Sequence, residues 1–497
     1  MKKPRSRKIV ALYFALSALG VTALTLSACG GGGDTDKSLY TVGGTVTGLS
    51  DTESVVLVNN GTDLTTVSSN RDFTFSVAQT SGTDYAVTVK SRTPGIACAV
   101  AKGRGTLTSA HVTSVAVSCG AAKLTVLSSF DGANHGDTPM SALIADSAGN
   151  FYGTTRYGGS FGNGTVFKLS PNGNGYDTSI LYNFGSANAD GAQPRAGLTM
   201  DGAGNLYGTT SLGGTHNQGT VFKLSPNGTD YVQRVIYNFG DAASDGATPW
   251  AGLIMDAEGS LYGTTYNGGS ANLGTVFKLS RNGNGYEESI LYAFLGESDG
   301  AHPLAALLMD SAGNLYGTTT YGGTTDSGTV FMLTADGGTY RKTNLWTFLY
   351  GENPSSSLLM DSVGNLYGTN TPDQPLFGGG AVYQISHSGK RTTFGEDMKG
   401  MPFGGLVMDS AGNLYGTTAR YFTDTLGSDT IFKMSPSGQF TTLYTFDRTV
   451  TSGPSSAPGS NGAVPIGSLI MDRAGNLYGT ASLGGANSRG TVFKLGD

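Results

Sequence analysis

A nine-residue pattern, Asp-x-x-Gly-(Asn/Ser)-(Leu/Phe)-Tyr-Gly-Thr, occurs seven times, starting at Asp146, Asp201, Asp256, Asp310, Asp361, Asp409 and Asp472. The spacings are 55, 55, 54, 51, 48 and 63 residues. Seven copies at that period make an array or a propeller, because one such unit cannot bury its apolar face except against its neighbours. The third copy is representative. It holds strand-like runs at 251–255, 261–265, 275–280 and 290–294, separated by the turn Asp256-Ala257-Glu258-Gly259, a loop through Gly268-Gly269 and the turn Arg281-Asn282-Gly283. Four antiparallel strands in some fifty residues form one propeller blade. No run has the length or the 3.6-residue period of a helix. Composition agrees: 78 glycines among 497 residues suit tight turns and short strands, and an interior Gly costs a helix about 1 kcal/mol relative to Ala.

The ends of the array predict how it closes. The seventh copy stops at Thr491-Val492-Phe493-Lys494-Leu495 and lacks its fourth strand. A matching run, Leu124-Thr125-Val126-Leu127-Ser128-Ser129-Phe130, precedes the first copy. The expected fold is all-β: a seven-bladed β-propeller over 121–497, closed by its N-terminal strand so that no sheet edge stays open. Residues 39–120 add short alternating runs punctuated by Gly, Asn, Asp and Ser, at the spacing of a β-sandwich.

Ahead of these units, Lys2, Lys3, Arg5, Arg7 and Lys8 precede an apolar run to about residue 26, the layout of a secretory signal over residues 1–28. It ends in Leu26-Ser27-Ala28-Cys29, which resembles the lipobox of bacterial lipoproteins. That resemblance implies a lipid on Cys29, and Gly30 after it is similar to the outer-membrane class. Residues 29–38, rich in Gly, read as a flexible tether. Cys98 and Cys119 remain as an even pair, and a disulfide suits an oxidising compartment.

Removing residues 1–28 takes away 5 of the 30 basic residues and none of the 36 acidic ones, for a formal net charge of −11. So acidic a chain excludes nucleic acid as a partner, because that contact rests on Lys and Arg neutralising phosphates. It also excludes a polybasic membrane patch, leaving the N-terminal lipid as the membrane contact.

The Gly-Thr-Val-Phe run at Gly164, Gly219, Gly274, Gly328 and Gly490 resembles the signature of the bacterial GloVer-type tandem repeat family. The Asp-x-x-Gly-Asn-Leu-Tyr element is similar to NHL and SMP-30-like propeller repeats. Copies five and six depart with Gly380-Ala381-Val382-Tyr383 and Asp429-Thr430-Ile431-Phe432. The resemblance implies an exported repeat protein and no defined reaction. The small N-terminal unit is likewise similar to Ig-like or prealbumin-like modules, which serve as spacers or as binding modules.

The seven Asp residues have a superficial calcium-loop spacing, but an Asp that opens a turn accepts hydrogen bonds from the turn's own N–H groups. A feature present in every copy builds the copy. Gly158-Gly159-Ser160-Phe161-Gly162 fits the nucleophile-elbow pattern but lies between two strands, where no strand-to-helix elbow exists. None of the five histidines has metal-ligand spacing to another, so neither metal nor cofactor is expected.

The candidate site comes instead from a position that varies. Pro139, Pro194, Pro249, Pro303, Pro354, Pro402 and Pro465 each precede a first strand, and small pairs such as Ala196-Gly197 and Ala251-Gly252 follow. Between Pro and small pair stand Met140, Arg195, Trp250, Leu304, Ser355, Phe403 and Ile466, expected to ring one mouth of a central channel. Asp190, Asp245, Asp299 and His302 are expected in the loops before it, with Tyr157, Tyr266, Tyr321, Tyr421 and Phe422 on the same face. Such a mouth suits a mostly apolar pocket with one cation. The expected function is a lipid-anchored extracytoplasmic platform, non-enzymatic, that binds or scaffolds proteins, peptides or glycans. The alternative is a propeller enzyme of lactonase, lyase or hydrolase type acting on an extracytoplasmic small molecule or polysaccharide.

Overall fold

The computed structural model describes residues 38–496 apart from 174, 187–188, 284, 338, 373–378, 396–397, 399, 421–427 and 448–459. Cys29, the signal segment, Tyr421, Phe422 and most of the Ser/Pro/Gly-rich insertion at 451–463 lie outside the described residues. The described chain is all-β; its only helical element is a single 3-10 turn, Glu297–Asp299.

The second to sixth repeats each form a four-stranded antiparallel sheet with consecutive strands paired, as in Ile254–Met255, Leu261–Thr265, Thr275–Asn282 and Gly285–Ala293, and the first adds Asp137–Pro139 as a fifth strand. The repeated Asp makes the first hairpin. At Asp146, Oδ1 accepts from the backbone N–H of Ala148 and Asn150, while Oδ2 accepts from Asn150 Nδ2 at 2.7 Å and Tyr152 OH at 3.0 Å. Burial opposes ionisation of Asp146, but these donors outweigh it and hold the carboxyl below its ordinary value. The turn recurs in the other six copies, so every one of these carboxylates is already occupied.

The invariant Gly of Leu-Tyr-Gly-Thr has a packing cause. A Cβ on Gly263 would stand 2.6 Å from Cζ of Phe277, whose ring covers it from the third strand. In copy five the ring is Tyr383, fully buried, with no hydrogen-bond partner for its hydroxyl. Outside copy six the ring meets the aromatic that ends the preceding sheet's fourth strand, as Phe184 meets Phe222 at 5.0 Å, Phe239 meets Phe277 at 5.1 Å and Phe446 meets Phe493 at 5.2 Å, while Phe432 of copy six meets Phe440 of its own sheet.

The seventh sheet is completed by Lys123–Ser129, which pairs antiparallel with Thr491–Gly496. Phe130, just beyond it, meets Phe167 of the first sheet edge-on at 5.0 Å. Nearer the axis, a Thr hydroxyl of each second strand donates to a carbonyl of the next sheet, as Thr209 does to Ala251 and Thr264 to Ala305. The last of these, Thr480 to Ser141 at 2.8 Å, returns to the first sheet.

The first strands are shorter than the sequence suggests. In copy three only Ile254–Met255 pair, because the carbonyl of Ala251 is taken by Thr209, and a Cβ on Gly252 would stand 3.1 Å from the carbonyl oxygen of Gly197. Backbone meets backbone there, which is why the pair must be small.

Loop carboxylates link neighbouring sheets through the fourth strands. Asp190 meets Gln233, Asp299 meets Lys342 at 3.0 Å, and Glu352 pairs with both Nη atoms of Arg391 at 2.8 Å. The equivalent partner of Asp245 is Glu288. Burial, then the Asp245 charge, push Glu288 up to about 7. A folded-state pKa above the unfolded one stabilises fully below about 4.5, and that contribution is lost as pH rises through about 7. Discounted for partial exposure, the effect is about 1–2 kcal/mol. Glu288→Gln is therefore expected to melt with wild type at pH 4.5 and a few degrees above it at pH 8. Parallel melting curves across that range would remove the acid pair from the account.

Residues 39–121 form two further four-stranded sheets around their own core, which includes Val46, Val55, Leu57, Phe75 and Val117. Val112–Ala121 lies parallel to Val42–Thr47 and antiparallel to Ile96–Ala101, where the Cys98–Cys119 disulfide joins facing residues. Arg92 reaches the other unit, donating from Nη2 to Asn476 Oδ1 at 2.6 Å and from Nη1 to the Ala474 carbonyl at 3.2 Å.

Candidate functional site

The entry to each first strand is a sharp corner. Thr138, Gln193, Thr248, His302 and Val464, each just before its Pro, have left-handed backbone with φ between 54° and 60°. That conformation is unfavourable for β-branched Thr and Val and is held by the packing around it. The Pro that follows rests on the Gly that opens the third strand of the sheet before. A Cβ on Gly274, where φ is +97°, would stand 2.7 Å from Cδ of Pro303. Asp429 replaces this Gly in copy six and instead accepts the Val464 N–H at 3.0 Å. The corner delivers the next side chain into a space shared by the seven sheets.

Met140, Arg195, Trp250, Leu304, Ser355, Phe403 and Ile466 accordingly line one cavity of about 620 Å³. A narrower space of about 250 Å³ continues beneath it between the small pairs. Tyr157 joins the upper wall, together with two side chains outside the expected ring, Arg156 and Arg420. They lie two and three residues beyond the Asp motif, Arg156 near the end of the strand Phe151–Tyr157 and Arg420 just past Leu414–Thr418; the residues there vary from copy to copy behind the fixed motif, and that variation was the available signal.

One side of the mouth is a stack. The Arg195 guanidinium lies 4.6 Å over the Trp250 ring. Trp250 lies parallel to Tyr266 at 4.5 Å and 14°, and Tyr266 faces His302 at 4.4 Å. His302 Nδ1 donates to the Tyr266 carbonyl at 2.8 Å, and Tyr321 meets the His302 ring edge-on at 6.0 Å. Arg195 Nε, Trp250 Nε1 and Ser355 Oγ are buried at the mouth without hydrogen-bond partners. Burial and the Arg156 charge bring Arg195 down to about 10, still cationic at neutral pH.

Asp190, Asp245 and Asp299 do not join this cavity. Asp190 accepts from Tyr182 OH and the N–H of Gly185 and Gly191; Asp245 accepts from Gly240 and Gly246; Asp299 from Tyr292 OH, Leu295 N–H and Lys342. Each carboxylate closes the loop that carries it, since buried amides there need acceptors. His302 reaches the mouth only as the far end of the stack. Ser160 sits in the exposed turn between two strands, its N–H on Asn183. Among the described residues no three His, Cys, Asp or Glu side chains gather in a set able to hold a metal. Two open grooves of about 600 and 760 Å³ lie between neighbouring Asp turns at the other end of the sheets.

The chain is similar to propeller-like solved structures. With selenomethionine-substituted virginiamycin B lyase from Staphylococcus aureus it shares 11% identity at a TM-score of 0.49, over 75% of this chain and 98% of that one. With an oligogalacturonate lyase in complex with manganese it shares 12% at 0.47, over 76% and 93%. No curated protein matches it. Residues 76–308 and 256–458 match the Gloeobacter/Verrucomicrobia repeat, and the chain belongs to that family.

Proposed function

We propose that this protein is an exported lipoprotein whose seven sheets form a closed seven-bladed β-propeller, displayed as a non-enzymatic binding platform. Cys29 carries the lipid, residues 30–38 tether it, and the small β-sandwich, Ig-like or prealbumin-like, spaces the propeller from the membrane. The partner is a peptide, protein or glycan seated in the axial cavity.

One observation carries this reading: the position that varies most among otherwise uniform repeats supplies the wall of the cavity. A fold that needed only a plug would repeat the plug as it repeats Leu-Tyr-Gly-Thr. Mostly apolar lining, a stacked aromatic face and a few unsatisfied donors are what a ligand pocket offers. Neither a carboxylate nor an imidazole lines it, so the described wall supplies no acid–base pair and favours binding over turnover.

The test is made on the full-length protein expressed in a Gram-negative host. Labelled palmitate should enter wild type and not Cys29→Ser. In a melting screen against oligosaccharides and peptides, a ligand at about 100 times its dissociation constant adds roughly 2.7 kcal/mol to wild type. Arg195→Ala combined with Trp250→Ala should abolish that shift. An equal shift in the double variant moves the site away from the mouth.

A further inference from the structure

Three features of the mouth are independent of its apolar character. First, two guanidinium groups, Arg156 and Arg195, line the same cavity, with Arg420 on the wall as well. Arg156 donates from Nε to Gln193 Oε1 at 3.3 Å and lies 4.5 Å over Tyr157, while Arg195 lies over Trp250. Among the described residues no Asp or Glu lines this space. Second, the three buried polar atoms left without partners there are Arg195 Nε, Trp250 Nε1 and Ser355 Oγ. The first two can only donate and the third can, so the cavity presents donors awaiting an acceptor. Third, the chain as a whole is acidic, with a formal net charge of −6, so a cluster of cations is contrary to its general surface.

We infer that the cavity takes an organic anion, an oxyanion group on a flat apolar body, with the oxyanion held by Arg195, Trp250 Nε1 and Ser355. The flat body lies in the apolar space facing Leu304, Phe403 and Met140. This deepens the binding reading above and rests on it. The chemistry follows from the walls. Like charges brought together and partly desolvated are stabilised by a negative group, and a guanidinium already oriented by stacking loses little freedom when it binds one. The chain's net negative charge disfavours polyanions, which selects small anions over nucleic acid or anionic membrane.

The probes are 2-naphthoate, 2-naphthyl phosphate and the neutral 2-naphthamide, titrated by calorimetry into the full-length protein. At least one acid is expected to bind at least about ten-fold more tightly than the amide, the scale of one charge-assisted hydrogen bond. Arg195→Gln should erase that preference by weakening the acids far more than the amide, and Trp250→Ala should weaken acid and amide alike. A preference for the phosphate over the carboxylate, or the reverse, names the oxyanion and supports the inference either way. Equal binding of acids and amide, lost in Trp250→Ala, overturns the anion and leaves the binding cavity standing. Acid binding that survives both variants places the ligand elsewhere and overturns the anion and the cavity together. Arg156→Gln, which leaves the Trp250 stack in place, keeps the test alive should Arg195→Gln fold poorly: it too should lower the preference for the acid.

Discussion

Replacing residues 123–130 with a Gly/Ser stretch of equal length is expected to lower the melting temperature of the large unit by about 10–20 °C. The strand Lys123–Ser129 covers the open edge of Thr491–Gly496 along six paired positions. Leu124 is buried against Phe493 and Leu495, and Phe130, fully buried, packs between the seventh and first sheets with its ring edge-on to Phe167. Truncating a buried Phe costs roughly 3–5 kcal/mol and a buried Leu roughly 2–5 kcal/mol, so the two alone remove roughly 5–10 kcal/mol. At about 2 °C per kcal/mol for a unit this large, the fall is many degrees. Phe130→Ala alone should give close to half of it. The measurement is a calorimetric melt of each variant beside wild type. An unchanged melt would falsify closure by this strand, since an open row of sheets does not depend on what lies between its first and last members.

That dependence could be read from the sequence because it concerns strands whose chemistry is repeated. A run resembling every fourth strand, found ahead of the array and missing from its end, has one place to go. Spacing of the Asp motif likewise located the second strand of copy three to the residue, at Leu261–Thr265. The mouth was legible for the same reason: one variable residue at a fixed distance from Pro and a small pair occupies the same place in each sheet, and those residues do converge on one space.

What failed was placement by loop proximity. Asp190, Asp245 and Asp299 lie only a few residues before the mouth, yet their side chains turn back to satisfy their own loops and, at Asp190 and Asp299, a fourth strand of the next sheet. Chain distance does not report which way a buried carboxylate faces; the count of amides needing an acceptor does, and it needs coordinates. The stack of Arg195, Trp250, Tyr266 and His302 was hidden differently. It joins residues of three neighbouring sheets, Arg195 from the second, Trp250 and Tyr266 from the third and His302 from the fourth, and only the arrangement of sheet beside sheet brings them into contact. The opposition of Glu288 to Asp245 is of this kind too: Gln233, Glu288, Lys342 and Arg391 look like unrelated surface residues until each is seen facing the acid of the sheet before.

The small unit is expected to melt about 12–24 °C lower when its disulfide is removed by Cys98→Ala and Cys119→Ala together, while the large unit keeps its own transition. The two cysteines face each other across Ile96–Ala101 and Val112–Ala121, at the edge of a core that the small unit builds alone. Closing a loop of that length restricts the unfolded chain by about 3 kcal/mol. A unit of this size has only about 4–12 kcal/mol in hand, and each kcal/mol moves its midpoint by about 4–8 °C. Transmission to the large unit has few routes. Arg92 on Ala474 and Asn476, and Lys433 on the Thr52 carbonyl, are polar contacts between the units, while the apolar clusters of the two are separate. Calorimetry should therefore resolve two transitions in the variant, the lower one moved, and dithiothreitol should produce the same pattern from wild type. A single transition that falls as a whole would mean that the units unfold together, and that the Arg92 contact couples them more strongly than its hydrogen bonds to Ala474 and Asn476 account for. An unmoved lower transition would mean that the strand pair holds its register without the bond.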